Sequence, residues 1–461
     1  MNDKRQKNQL VLAFTEEVRS EAPMTSGEGT EAFTAKRGTE NPVIGEQLME
    51  DVCERENCKR ALAKVKANKG SAGVGGMTVQ QLPDYLKQHW PAIRECLLNG
   101  TYKPQPVKRV EIPKPDGGIR KLGIPTVLDR FVQQAVMQVL QGRWDRTFSE
   151  YSYGFRPGRS AHQAIAQAQK YIGEGYNWVV DLDLEKFFDR VNHDKLMAKI
   201  AERVGDKRLL KLIRAFLTAG VMENGLVNPV DEGTPQGGPL SPLLSNIALD
   251  EFDQELGRRG LRFVRYADDC NVYVRSKRAG ERVMDSLKRF LTTKLKLKVN
   301  EQKSAVARPW QRKFLGFTFT NAGVPKRRIA PKAVDRFRER IRELTCRTRG
   351  VSVERMVDEV SRYLRGWIGY FGKCETPSVL RRLEEWTRHR LRSVIWKQWR
   401  HGSVRFAELR KRGVGKDLAA QTAGSPLGPW RVANSPALNI ALSIAYFESL
   451  GIPRLTVKPM A

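Results

Sequence analysis

"RFVRYADDCNVYV", residues 262–274, sets two short apolar stretches around the adjacent carboxylates Asp268 and Asp269. Phe263, Val264 and Tyr266 on one side, and Val272, Tyr273 and Val274 on the other, are the β-branched and aromatic residues that strands favour. The pattern predicts a hairpin with the acids at its joint. One Asp suits a turn, because its side chain tolerates turn geometry. Two at the rim of a core repel each other, and desolvation enlarges the repulsion. A divalent cation relieves both costs.

Oxygen ligands suit Mg²⁺, and phosphoryl-transfer sites commonly use two such ions about 3.5–4 Å apart. A third carboxylate is then expected from elsewhere in the chain. WVVDLDLEKFFD (178–189) offers Asp183 near the end of a buried strand, with Asp181 on the same face if the strand is regular. A strand-end or turn Asp is the plainer reading of Asp183.

The bulk composition points to a polyanionic partner. The 461 residues carry 81 Lys plus Arg against 51 Asp plus Glu, a formal net charge of +30. A surplus of that size attracts nucleic acid or anionic membrane. No apolar run approaches the length of a membrane span, and MNDKRQKNQLVLAFTEE lacks the h-region of a signal peptide. Six Cys do not make a disulfide scaffold, and Cys53 and Cys58 have no second pair to complete a zinc site. A reducing, cytoplasmic setting with nucleic acid as partner, and no membrane, is the expectation.

Along the chain, residues 1–40 have the mixed polar composition of a flexible leader. Residues 41–105 are mainly helical in pattern, broken by KANKGSAGVGGM. VKRVEIPKPDGGIRKLGIP has apolar alternation on both sides of PDGG and predicts a second hairpin. GTPQGGPLSPLLSNIALDEFDQEL is a Gly/Pro loop and then a helix, with Ser241 placed as N-cap and Pro242 in the first turn. KFLGFTFT predicts another strand. From Lys326 the chain turns strongly basic and helical, with Arg alternating with Trp and Tyr.

The ordered blocks FFD, PQGGPLSP, YADD and FLGF, followed by RGWIGYF, resemble the reverse transcriptases encoded by bacterial group II introns, the reverse transcriptase–maturases. The resemblance spans about residues 45 to 412. It implies an α+β, right-hand polymerase, with fingers and an antiparallel-sheet palm packed by helices over 106–325. Residues 41–105 would be a helical extension of the fingers, 326–412 a helical thumb (maturase domain X), and 413–461 a short C-terminal segment. Cys pairs and His of an HNH endonuclease are not found after residue 412. The resemblance is therefore to endonuclease-free members, such as the group IIC type, for which DNA binding by the last segment is an open expectation.

Residue by residue, the resemblance makes Asp183, Asp268 and Asp269 the catalytic acids and, with the carbonyl of Leu184, the ligands of two Mg²⁺. Asp181 and Asp189 are not primary ligands, and Asp189 would cap or orient the next helix. Phe188 matches a steric gate against the 2′-OH, the group that separates RNA from DNA precursors. Lys114, Arg120, Gln236 and Lys303 match residues that hold the incoming dNTP, and FLGF (314–317) matches the primer-grip strand. Arg156 and Arg159 are expected on the template. Arg362, Arg365, Arg381, Arg382 and Arg388 are expected on nucleic acid along the thumb, as are Arg390 and Arg392. Trp367, Tyr370, Phe371, Trp386 and Trp396 suit a bundle core better than a stacking platform.

The implied activity is RNA-directed DNA polymerisation with intron RNA, RNA template, DNA primer or target and dNTPs as partners, serving splicing and retrohoming. Two alternatives stay open. One is a reverse transcriptase in a CRISPR-associated, diversity-generating or repair role. The other is a non-catalytic RNA-binding splicing cofactor, which would have no use for the acids.

Overall fold

The computed structural model describes residues 47–113, 118–223, 226–228, 232–234 and 237–456. The described residues form two units, divided at Lys313. Lys114 and Gln236, both expected at the nucleotide, and most of the PDGG turn lie outside the described residues.

The first unit opens with helices α1 (Leu48–Val52), α2 (Arg55–Ala67) and α3 (Leu82–Leu98). The break between α1 and α2 has a local cause: Glu54 leaves helical geometry and its carboxylate accepts from the amide of Asn57, capping α2. Strands β1 (Val107–Pro113) and β2 (Ile119–Ile124) form the expected hairpin, with Arg120 opposite Ile112. Helix α4 (Val127–Trp144) follows, capped by Thr126, whose hydroxyl accepts from the amide of Asp129. It buries Phe131, Val132, Val136 and Leu140 against α2 and its neighbours.

Helix α5 (Ala161–Gly173) leads into β3 (Trp178–Leu182), which ends one residue before Asp183. The short α6 (Phe187–Arg190), then α7 (His193–Ala201) and α8 (Lys207–Leu217), precede β4 (Val221–Glu223) and β5 (Leu226–Asn228). Helix α9 (Ser241–Arg258) runs to the opening hairpin, β6 (Arg262–Tyr266) and β7 (Asp269–Val274). Helix α10 (Lys277–Phe290) and β8 (Ala305–Ala307) complete the unit.

Two sheets result, ordered β2-β1-β4-β5 and β6-β7-β3-β8. The second is antiparallel throughout, and one of its faces is the apolar set Val180, Leu182, Phe263, Cys270 and Val272, all buried in the unit's main core. Each large side chain buried there stabilises the fold by about 1.5–3 kcal/mol. That face fixes the register, since a slip of one residue would exchange it with the face that carries Asp181, Asn271 and Tyr273.

The second unit begins with β9 (Phe317–Phe319) and β10 (Arg327–Ile329). Helices α11 (Pro331–Leu344), α12 (Val353–Phe371) and α13 (Pro377–Gln398) follow, and then α14 (Gly402–Lys411), α15 (Lys416–Ala423), α16 (Pro429–Val432), α17 (Pro436–Ala441) and α18 (Ile444–Ser449). Their core holds Phe337, Leu364, Trp367, Trp396 and Phe447. The expectation that the aromatics build a bundle core holds for Trp367 and Trp396, while Trp386 is only half-buried.

Two local expectations are corrected. Ser241 is the first helical residue of α9 rather than its cap, and its carbonyl accepts from the Ser245 hydroxyl one turn on. FLGF is a tight turn, not a strand. Phe314 and Phe317 exchange amide–carbonyl bonds of 2.8 and 3.0 Å across Leu315 and Gly316, both at positive φ, and the strand starts only at Phe317.

Candidate active site

The acids sit at the end of the β6–β7 hairpin. Tyr266 pairs with Asp269, leaving Ala267 and Asp268 as the two turn residues. Ala267 has φ +58°, a conformation that favours glycine. Holding a β-carbon there costs about 1–3 kcal/mol and persists only where the surroundings over-determine it.

Arg265 supplies that constraint. It points from the core face of β6 into α9 and is 1% exposed. Its guanidinium forks onto Asp253 at 2.7 and 2.6 Å. It also donates to Asn246 Oδ1 (3.1 Å), to Ser152 Oγ (2.7 Å) and to the carbonyl of Ala267 (2.8 Å). All five N–H donors of the side chain are used. Asn246 passes the constraint on, donating to the carbonyl of Gly154 at 2.9 Å. Gly154 must be glycine, because a Cβ there would lie 2.3 Å from the amide nitrogen of Ala267. The turn is thus clamped from α9 below and from the Gly154 loop beside it.

Asp183 reaches the same place from β3. Leu182 pairs with Cys270, so continuing the antiparallel register sets Asp183 across from Asp269 and Leu184 across from Asp268. The Asp183 amide and carbonyl are spent on the opposite side, at 3.0 Å to Ser304 Oγ and 2.8 Å from the Asn300 amide. By strand alternation the carbonyl of Leu184 turns toward the acid turn, as the resemblance implies.

Burial pushes the half-buried Asp268 carboxyl above its ordinary range, and the negative charge of Asp183 pushes it further. The guanidinium charges of Arg120 and Arg265 oppose the shift. This coupling brings Asp183, Asp268 and the fingers residue Arg120 into one electrostatic neighbourhood.

The donor set fits a hard cation. Two mutually repelling carboxylates and one carbonyl, with water and substrate phosphate to complete the shell, are what Mg²⁺ takes. The expected trio of side chains is not gathered, however. Among the described residues no three His, Cys, Asp or Glu side chains are grouped to hold an ion, and Asp269 is exposed. Asp181 is not in the set: its carboxylate is held by Arg312 at 2.7 and 2.6 Å. Asp189 does not cap the next helix; Asn192 does, accepting from the Lys195 amide at 3.0 Å.

The two adjacent phenylalanines divide as expected. Phe187 is buried in the core and Phe188 is half-buried, with their rings edge to face at 5.3 Å. The loop that leads to Gln236 docks on Phe188, whose carbonyl accepts from the Thr234 amide at 2.6 Å. Gly233, at φ +91°, leaves no room for a Cβ, which would meet that same carbonyl at 2.7 Å. Gly237, at φ +133°, likewise leaves no room for a Cβ, which would meet the Gly123 carbonyl of β2 at 2.7 Å. Gly233 and Thr234 therefore adjoin Phe188, and Gly237 adjoins the β1–β2 hairpin. Lys303 is exposed, next to the Ser304 that bonds Asp183.

The basic residues split into tied and untied. Arg156 is turned into the protein. Its side chain is 4% exposed, ion-paired to Asp145 at 2.7 Å and bonded to the carbonyls of Ser149 and Ser152. Arg159 is exposed and lies over the Tyr153 ring at 5.6 Å. In the second unit Arg388 is ion-paired with Glu384, both largely buried, and Arg362 with Asp358. Arg365 donates to the Gly451 carbonyl, and the buried Arg392 to that of Leu442. Arg381 and Arg382 are exposed and in no ion pair among the described residues.

Sequence reasoning missed Arg265, Asp253, Asn246 and Gly154. The available signal was a lone Arg inside an apolar strand, which requires a buried acid somewhere within reach.

Comparison with known proteins identifies the family. Residues 112–319 match the family described as "Reverse transcriptase (RNA-dependent DNA polymerase)", and residues 334–413 match "Group II intron, maturase-specific domain". The chain is similar to Protein YkfC of Escherichia coli, 34% identical over 57% of this chain and 79% of that protein. It is also similar to the group II intron-encoded protein LtrA of Lactococcus lactis, 31% identical over 56% of this chain and 54% of LtrA, so it spans about half the length of that relative. Among solved structures, a Candida albicans telomerase aligns at TM-score 0.43 and 12% identity, over 78% of this chain and 66% of that one. The chain belongs to the reverse transcriptase family, in the group that joins an RNA-directed DNA polymerase to a group II intron maturase domain.

Proposed function

We propose that this protein copies group II intron RNA into DNA from a DNA primer, and that it binds the same intron RNA to assist its splicing and its spread by retrohoming. The observation that supports the polymerase reading best is the strand register that brings Asp183 to the acid turn, where its charge and that of Arg120 both act on Asp268. A splicing cofactor without catalysis has no use for a clamped acid pair.

In this reading Asp183, Asp268 and the Leu184 carbonyl hold Mg²⁺, with Asp269 contributing less directly. The metal supplies Lewis-acid stabilisation of charge on the attacking and leaving oxygens. Arg120, with Lys114 and Lys303, neutralises the triphosphate. Phe188 closes the space under the sugar, and Gln236 packs on the nucleotide. Arg159, Arg381 and Arg382 contact template or intron RNA; Arg362, Arg365 and Arg388 are committed within the protein first.

The test is primer extension on an RNA template with Mg²⁺ and dNTPs. Extension by the wild type, with ribonucleotides rejected and then admitted by Phe188→Ala, is the expected result. No extension by the wild type would leave only RNA binding. Unchanged sugar selection in Phe188→Ala would remove the gate from that residue. DNA flanking the gene should encode a foldable intron ribozyme, and its absence would favour a reverse transcriptase in another role.

A further inference from the structure

The second unit holds an arginine–indole ladder in which Arg390 alone is one of the expected nucleic-acid contacts. Arg342 at the end of α11 lies over the Trp386 ring of α13 at 5.7 Å, and Arg390, one turn further along α13, lies over the same ring at 5.5 Å. Arg390 also lies 6.0 Å from the Trp430 ring of α16, which His389 meets edge-on at 4.0 Å. The ladder is anchored by Thr345, whose hydroxyl accepts from Arg390 Nε at 2.7 Å and whose carbonyl accepts from a terminal nitrogen at 3.3 Å.

Two features are costly for a purely structural cluster. The first is charge. Burial disfavours the charge of Arg390, and Arg342 and Arg347 disfavour it further, yet none of the three is in an ion pair among the described residues. Glu343 is held by Arg340, and Glu359 by Arg349 and Arg355. The second is exposure. Trp430 leaves 43% of its surface in water, beside the half-exposed Leu427. Close to its ring, His389 Nε2 is buried without a hydrogen-bond partner.

A guanidinium over an indole can be simple packing. Packing does not explain three cations drawn together without an ion pair among the described residues, around a ring left open. A phosphate chain supplies the missing negative charge, and a splayed base supplies a partner for the ring. Duplex bases are already stacked and offer no such face.

We propose that Arg342, Arg347, Arg390, Trp386 and Trp430 form a platform for a single-stranded polynucleotide, with phosphates on the guanidinium groups and one base on the open face of Trp430. The α16 segment contributes the stacking ring, so the platform exists only with that segment docked on α13. This surface is separate from the polymerase reading and does not depend on it.

The experiment is fluorescence anisotropy of the full-length protein with a labelled oligonucleotide of about 12 nucleotides, in ribo and deoxy forms, and with the matching RNA duplex. Trp430→Ala should weaken single-strand binding about tenfold, leave duplex binding within twofold, and be rescued by Trp430→Phe. Arg347→Gln, at an exposed position, should reduce the salt slope by about one. The arm with the larger loss identifies RNA or DNA as the natural occupant. Single-strand affinity within twofold of wild type in both variants, with melting temperatures unchanged, would overturn the platform; so would an equal loss on the duplex. Primer extension by the wild type tests the polymerase reading by itself.

Discussion

The acid turn and the arginine ladder are both like-charge clusters, of opposite sign and opposite construction. Asp268 stands on a strained turn clamped by a guanidinium that uses all five of its donors, in a pair 1% and 0% exposed. The arginines of the ladder reach from α11, its following turn and α13, and among the described residues only Arg390 is pinned by hydrogen bonds. A small divalent ion demands fixed oxygen positions, so its site is built rigidly. A polyanion demands charge and a ring face but little geometry, so its site can be loose. The net charge of +30 and the local acid pair are therefore compatible: one gathers nucleic acid, the other arranges the chemistry.

The comparison can be broken at several points. The largest effect belongs to Asp183→Asn, which should lower primer extension by about a thousandfold or more, since metal stabilisation amounts to several kcal/mol. Arg265→Met comes next. Leaving Asp253 buried and unpaired should cost about 3–5 kcal/mol in denaturant unfolding. A loss below 1 kcal/mol would mean the clamp is slack. Gly154→Ala should destabilise by about 1–3 kcal/mol and lower extension while sparing RNA affinity, because its methyl collides with the Ala267 amide. Equal effects on extension and RNA binding would mean a general disruption instead. Trp430→Ala, at about tenfold in single-strand affinity, is smaller. The smallest contrast is Arg156→Gln against Arg159→Gln. The first should lower the melting temperature, and the second should weaken RNA binding a few-fold with the fold intact.

The acid hairpin was legible because a period of two around a charged joint has few other solutions. The same holds for Asp183 at the end of an apolar strand, whereas Phe188 stood out from Phe187 only through the resemblance. What stayed hidden depends on distant partners. Arg156 looks like a nucleic-acid contact in so basic a chain, and only Asp145 and two carbonyls, brought together by a local fold, reveal it as structural. Arg265 needed Asp253 from another element. The FLGF turn rests on Leu315 at φ +50°, which no propensity announces. Trp430 gave no signal either, since its arginines come from helices far away in sequence.

The most direct test of the central claim is Asp268→Asn assayed twice, for primer extension on an RNA template and for affinity to the intron RNA. Extension abolished with RNA affinity within a few-fold of wild type is the predicted result. Retained extension, or equal loss of both activities, would contradict a metal-holding role for the turn.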